Sequence, residues 1–381
     1  MSATRVDVIV NSLGIGGAER HSLTLANAMV DQGFAVRVIS LAVAEGSHRQ
    51  NTTAATSKAI QLHRRGPIDL RALRAYRSLV KSDRPDLTIT VNDYPLAFAW
   101  AATLWSHRPA MLQITHTIEL PHEDNRVKRW LYPQLLRVPA AVVYVCDLQR
   151  QHWRRAGIRA RADHCVHNGI DVDRFRPLSS ATVIAARAAL GFSPDDFVVG
   201  ICAVLRPEKR HDLLLQALAL LWRRGDRVQA LLIGDGPERA HIEARARALK
   251  IDHAVHITGY QQDVVPLIGA ADVMCLVSDY ETFSLSILEA MAMAKAVIAT
   301  RAGAVEEQIA HTENGLLVER GNAGELAEAI TQLRDAGYRA TIGQRALATV
   351  RSQFTEAEMV AHYVRIVQQL ASKQPTLRRT P

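Results

Sequence analysis

Short apolar runs recur along the chain, each bounded by glycine or polar turn residues and followed by a longer stretch with apolar positions at helical spacing. Arg5–Val10 reads as the first strand. Asn11 to Arg20 is a glycine-rich turn into a helix whose apolar positions are Leu23, Leu25, Ala26, Met29 and Val30, and Gly33 ends it before a strand at 35–41. The same rhythm predicts strands at 87–91, 111–115 and 141–145, with helices at 70–79, 96–105, 126–136 and up to 155. Five strands interleaved with helices make a doubly wound parallel sheet.

Between 167 and 196 the rhythm breaks into turns, a connector and one helix at 183–190, which reads as an interdomain hinge. It then restarts with strands at 197–203, 229–233, 255–257, 273–277 and 296–300, and a Gly315-Leu-Leu-Val318 segment follows. Helices are expected at 212–223, 239–249, 264–270, 305–310, 323–336 and 338–351, and an amphipathic one at 356–370. The expected class is α/β, two Rossmann-like halves over 1–177 and 178–355, a terminal helix over 356–372 and a disordered basic tail over 373–381.

Composition agrees with an ordinary globular chain of two domains: 381 residues, 48% hydrophobic and 22% charged. Charge adds more. The net +8 is uneven, because residues 1–177 hold 24 Lys/Arg against 15 Asp/Glu while the remainder holds 22 against 23. A basic first half suits an anionic membrane, a phosphorylated acceptor or nucleic acid; a merely arginine-rich composition is the plain alternative. Aromatic-basic interleaving and a helix-turn-helix pattern are missing, which sets nucleic acid aside. No apolar run nears the roughly 20 residues needed to span a bilayer, and the first residues lead straight into a strand, so the expected location is cytoplasmic. Cys146, Cys165, Cys202 and Cys275 are scattered and read as buried thiols, and the fifteen histidines are dispersed, so no metal site is expected.

The densest chemistry lies at Ser278-Asp-Tyr-Glu281-Thr-Phe283-Ser284-Leu285-Ser286-Ile-Leu-Glu289. It follows an apolar strand and enters an apolar helix, the place where open α/β sheets bind ligands and where a helix start offers N–H groups to an anion. Carboxylates for hydroxyls beside donors for phosphate suit a nucleotide sugar. Glu289 has a rival reading as the last member of a helix capping box begun by Ser286. Two carboxylates also leave a glycoside hydrolase open on spacing. The Gly14-Ile-Gly16-Gly17-Ala-Glu19 turn lacks the third glycine of a dinucleotide fingerprint, and the next strand ends without a ribose-binding carboxylate, which disfavours a nicotinamide enzyme. Arg206 and Lys209, at a strand end, fit either a diphosphate or a solvated charge cluster. His116 ends a strand as a group that meets substrate, or as a structural histidine.

Together these motifs resemble the retaining glycosyltransferases of family 4 with the GT-B fold. Glu281-x7-Glu289 is similar to that family's E-x7-E signature, Gly16-Gly17-Ala-Glu-Arg20 to its glycine turn, and His167-Asn-Gly-Ile-Asp171 with Phe175-Arg-Pro177 to its interdomain segment. Leu205-Arg-Pro-Glu-Lys209, Ile233-Gly-Asp-Gly-Pro237 and Gly315-Leu-Leu-Val318 fall in matching order, and the resemblance spans residues 5–370. It implies two Rossmann-like domains facing each other across a cleft, the first binding a glycan or lipid-linked acceptor and the second a nucleotide-sugar donor, with the last helix crossing back. It implies that Glu289 binds the donor ribose and Glu281 the sugar hydroxyls. Arg206, Lys209 and the N–H groups of Phe283, Ser284 and Leu285 would hold the diphosphate. Gly16 and Gly17 would close on it, and His116 would lie near the reaction centre. Neither a cofactor nor a metal is implied, and the enzyme would work in the cytoplasm or at the inner face of a membrane. Val204 stands where the family commonly has arginine, Ser284 where glycine is common, and Gly303-Ala304 where a glycine pair is usual. An epimerase of the same fold, or a binder that leaves the donor intact, are the alternatives, and product analysis separates them.

Overall fold

The structure is a computed structural model that describes residues 3–14, 16–42, 59–66, 68–104, 107–117 and 133–372. It divides into two compact units, Met1–His167 with Met359–Pro381, and Asn168–Glu358. The expected helix at 126–136 for the most part, Trp105 and the tail at 373–381 lie outside the described residues.

In the first unit the chain runs β1 (Arg5–Val10), α1 (Gly17–Asp31), β2 (Ala35–Ser40), β3 (Ile60–Gln61), α2 (Leu70–Asp83) and β4 (Leu87–Val91). It continues through α3 (Asp93–Thr103), β5 (Ala110–Thr115), β6 (Ala141–Tyr144), α4 (Asp147–Arg155) and β7 (Asp163–Cys165). The sheet order is β3-β2-β1-β4-β5-β6-β7, every pairing parallel. Helices on both faces explain why β4 and β6 are apolar or threonine throughout and buried end to end. The sheet has two strands more than the pattern predicts, β3 and β7, both short edge strands.

α2 shows how one helix serves two environments. Asp69 caps it, accepting from the N–H groups of Arg71 at 2.9 Å and Ala72 at 3.1 Å. Ala72, Tyr76 and Val80, four residues apart, face the core, and Arg71, Arg74 and Lys81 face out. Within β1, buried Asp7 takes two hydrogen bonds from Arg37, both 2.8 Å. Burial still pushes its carboxyl above the ordinary value.

The second unit runs α5 (Ser180–Ala189), β8 (Val198–Cys202), α6 (His211–Arg224), β9 (Gln229–Ile233), α7 (Arg239–Ala248) and β10 (Val255–Ile257). Next come α8 (Val265–Ala270), β11 (Val273–Leu276), α9 (Leu285–Ala292), β12 (Ala296–Thr300), β13 (Leu316–Val318), α10 (Ala323–Gln332) and α11 (Ala336–Gln353). The order is β10-β9-β8-β11-β12-β13, again parallel. The order reverses between β8 and β11. α6 turns Leu214, Leu218 and Leu221 wholly into the core, each contributing roughly 2 kcal/mol by burial. The final helix, α12 (Glu356–Ser372), begins in this unit and from Met359 belongs with the first.

Three expectations change. The units divide at His167/Asn168, not at 177/178, because Asn168 and Ile170 are tied into the second unit: Asn168 Nδ2 donates to the Phe283 carbonyl at 3.0 Å and the Ile170 N–H to that of Phe354 at 2.9 Å. Gly169 passes so close to Thr355 that a Cβ would lie 2.3 Å from its carbonyl oxygen. The helix expected at 305–310 is a tight 3-10 turn over Gly303–Glu307, begun by Gly303 at φ +58°. Cys146 and Cys275 are buried, as expected, whereas Cys165 and Cys202 are half-buried.

Candidate active site

The second unit gathers its predicted residues at the carboxyl ends of β8 and β11, the two strands flanking the reversal. Lys209, on the turn after β8, puts Nζ 2.5 Å from Oε1 of Glu281, on the loop after β11. The same oxygen accepts from the Ser278 hydroxyl at 2.7 Å. Glu281 is 8% exposed. A buried carboxylate held by a cation and a hydroxyl is fixed in direction, placed to accept from a ligand hydroxyl.

The neighbouring backbone fixes this pair. The Thr300 hydroxyl donates to the Ser278 carbonyl at 2.6 Å. Gly303 packs on the Glu281 carbonyl so tightly that a Cβ would sit 1.8 Å from its oxygen, and the Ala304 N–H donates to that oxygen at 3.2 Å. Only the first glycine of the family's pair is needed for that approach, so alanine at 304 is tolerated. On the other side, Gly234 and Gly236 press on the carbonyls of Ala203 and Leu205, and the Leu205 N–H donates to the Asp235 carbonyl at 3.0 Å. The Gly-Asp-Gly-Pro loop thereby sets the path of the chain into Arg206 and Lys209. Arg206 itself is exposed and lines, with His211 and Asp279, a cavity of about 380 Å³.

α9 begins at Leu285, with Ser284 as its N-cap: its hydroxyl accepts from the Ile287 N–H at 3.4 Å. Glu289 therefore stands beyond the first turn, where no capping box places it, and that rival reading fails. Glu289 is 1% exposed. Ser284 N–H donates to Gln308 Oε1 at 3.0 Å, and Gln308 Nε2 returns a bond to the Ser284 carbonyl at 2.8 Å. Phe283 is held by Asn168 and by the Phe354 ring, 5.5 Å away edge-on.

In the first unit Gly16 is the N-cap of α1 and Gly17 its first residue; both follow β1. His116 follows β5, half-buried, with its Nε2 shielded from solvent. Its backbone N–H donates to Asn92 Oδ1 at 2.9 Å. Asn92 ends β4 at φ 64°, ψ 178°, a conformation costly for any side chain. Strain is thus concentrated in the residue that anchors His116. Buried in α1 behind His116 lies His21, the ring centroids 4.8 Å apart. Burial pushes the His116 imidazole down to about 4 and holds His21 well below its ordinary value, with His116 adding to the effect. Both rings are neutral at pH 7.

The sequence reading overlooked Asn92, Gln308 and His21. Signals exist for two: an asparagine directly after a buried strand tolerates unusual dihedrals, and His21 interrupts an apolar helix face four residues before Leu25. Gln308 gave none.

Residues 15–174 match the model of Glycosyltransferase Family 4, and residues 183–347 that of Glycosyl transferases group 1. N-acetyl-alpha-D-glucosaminyl L-malate synthase of Bacillus anthracis is 34% identical over 45% of this chain and 45% of its own. The lipopolysaccharide core biosynthesis glycosyltransferase LpsE of Rhizobium meliloti is 31% identical over 50% and 54%. The chain thus spans about half the length of these curated relatives. Among solved structures, HepE of Anabaena in complex with UDP superposes with a TM-score of 0.83, covering 96% of this chain and 100% of that one at 22% identity. WaaG, a glycosyltransferase of lipopolysaccharide biosynthesis, gives 0.76 over 95% and 99% at 17%. These likenesses extend over both units and establish a two-domain GT-B fold.

Proposed function

The chain belongs to the family 4 glycosyltransferases with the GT-B fold, and from that premise we propose that it moves a hexose-type sugar from a nucleotide-diphosphate sugar to a glycan or lipid-linked acceptor with retained configuration. The observation that carries the reading is the Lys209–Glu281 contact at the ends of β8 and β11, a cation for phosphate beside a fixed acceptor for hydroxyls. The second unit would be the donor domain and the first the acceptor domain.

In this reading Glu289 accepts hydrogen bonds from the ribose and Glu281 from the sugar. Lys209 and Arg206 offset the charge that grows on the diphosphate as the anomeric C–O bond breaks. The Ser284 N–H is already engaged by Gln308, so of the N–H groups at the start of α9, Leu285 is the better placed to meet phosphate, Phe283 and Ser284 shaping the loop. Gly16 and Gly17 would add N–H groups from the first unit. The acceptor oxygen attacks the face that the phosphate leaves, its proton passes to the departing phosphate oxygen, and no protein nucleophile takes part. Catalysis then comes from positioning and fixed charge. His116, neutral, would face a sugar hydroxyl.

The acceptor side has its own support. Ile68 is 82% exposed and Leu70 59%, beside the outward Arg71, Arg74 and Lys81 of α2. Apolar side chains flanked by cations suit an anionic membrane carrying a lipid-linked acceptor. The basic segment Arg126-Val-Lys-Arg-Trp-Leu-Tyr132, a further candidate contact with such a surface, lies outside the described residues. Among the described residues no helix is long and apolar enough to cross a membrane.

The test is a thermal-shift screen of UDP-, GDP- and ADP-sugars, with Glu289→Ala as the control. HepE was solved with UDP-glucose, which makes a uridine donor the first to try. Stabilisation of the parent and not of the variant is expected; if no nucleotide sugar stabilises the protein, the reading fails.

A further inference from the structure

Three polar rings from three separate elements meet inside the first unit: His116 at the end of β5, His21 in α1 and Tyr363 in α12. His21 lies between the other two, 4.8 Å from the His116 ring at 71° and 5.4 Å from the Tyr363 ring at 65°, both edge-on contacts. His21 is 3% exposed and Tyr363 fully buried. Neither ring nitrogen of His21, nor the Tyr363 hydroxyl, meets a hydrogen-bond partner among the described residues.

A buried nitrogen or hydroxyl without a partner costs on the order of 1–3 kcal/mol, and phenylalanine would fill either place without that cost. Packing alone therefore does not account for the choice of a histidine and a tyrosine here. We propose that His21 is a positioning residue for His116: backed by Tyr363, its ring holds the His116 imidazole in one orientation and one tautomer at the end of β5. The proposal rests on the placing of His116 beside the transferred sugar.

The chemistry explains why a tautomer needs holding. A neutral imidazole has one donor nitrogen and one acceptor, and turning the ring or moving its proton exchanges them. Burial keeps both histidines neutral, so charge does not decide which nitrogen faces the substrate. An edge-on ring biases that choice, because the electropositive edge of one ring favours the electron-rich face of the other. The backbone side is fixed separately, by Asn92 holding the His116 N–H. Backbone and ring are thus clamped from two elements, α1 supplying the clamp that the sequence pattern hides on its apolar face.

The test uses the full chain with isotope-labelled histidine, reading the ring-nitrogen shifts of His116 at neutral pH. One pure tautomer is expected in the parent, a mixture in His21→Phe and a smaller change in Tyr363→Phe. In turnover of the nucleotide sugar that stabilises the protein, His21→Phe should lower kcat about ten-fold with donor KM within about two-fold. His21→Gln, which returns an amide, should recover part of it. A His116 tautomer unchanged in both His21→Phe and Tyr363→Phe overturns the proposal, as does full kcat in His21→Phe when His116→Ala is impaired. Full kcat in His116→Ala itself sinks the sugar-side reading of His116, and the nitrogen shifts still decide whether His21 orients it. Should His21→Phe fail to fold, Tyr363→Phe, which removes a single hydroxyl, carries the same measurement.

Discussion

The two sheets begin with the same strand order and treat charge in opposite ways. At the reversal of the second sheet, Lys209 and Glu281 meet at 2.5 Å with Glu289 buried behind. At the carboxyl edge of the first sheet two neutral imidazoles meet instead, His116 against His21, while the cations of α2 stand on the outside. In the proposed reading one fold would make a seat for an anionic diphosphate and another for uncharged hydroxyls, the difference lying in a few side chains after β8, β11 and β5. Strand order says where a ligand binds; the polarity of the loop ends says what kind.

The comparison breaks first at Lys209. Lys209→Met should weaken donor binding about 1,000-fold, on the order of 4 kcal/mol, measured by calorimetric titration; a loss of Tm with unchanged Kd would make the pair a structural one. Glu289→Gln comes next: kcat/KM should fall about 100-fold with Tm within about 2 °C, and full activity would remove the ribose contact.

Acid separates the units by another route. Burial pushes His116 and His211 down to about 4 from 6.5. Between those values the unfolded chain takes up protons that the folded chain refuses, so stability falls as pH drops through the window and levels off below it. Each buried histidine should cost about 1 kcal/mol per pH unit. Asp7 and Glu356, raised by burial, act in the opposite sense, one in each unit. Denaturant unfolding across this range should show the slope, and His211→Asn should flatten it for the second unit alone, read by hydrogen exchange. The smallest effect concerns the outer face of α2: Arg71→Glu with Arg74→Glu should weaken binding to anionic vesicles about ten-fold and leave Tm unchanged. Binding indifferent to salt would assign those arginines to solvation.

The buried strands were legible because helices cover both faces and leave an unbroken apolar run, as in β4 and β11. β3 and β7 were not, since two or three half-buried residues at a sheet edge carry no pattern. Val30 shows the limit of periodicity: an apolar position on α1 that the structure leaves 38% exposed. The carboxylates of the site were visible because a charge inside an apolar run is anomalous, whereas Gln308 and Asn92 act through partners 24 positions away in sequence. Spacing decided against the capping box only once the start of α9 was known.

Tyr363 and Val367 are fully buried and belong with the first unit, yet they follow the whole of the second. On the ribosome the first unit therefore waits, its core short of a helix, while residues 168–358 emerge and can close on their own. Where domains ordinarily fold in order of synthesis, this first unit receives the last part of its core after the second unit has been made. The waiting half is the basic one, and a nascent chain stalled in that state would depend on chaperones for as long as it takes to make some two hundred residues, about 10 to 40 seconds.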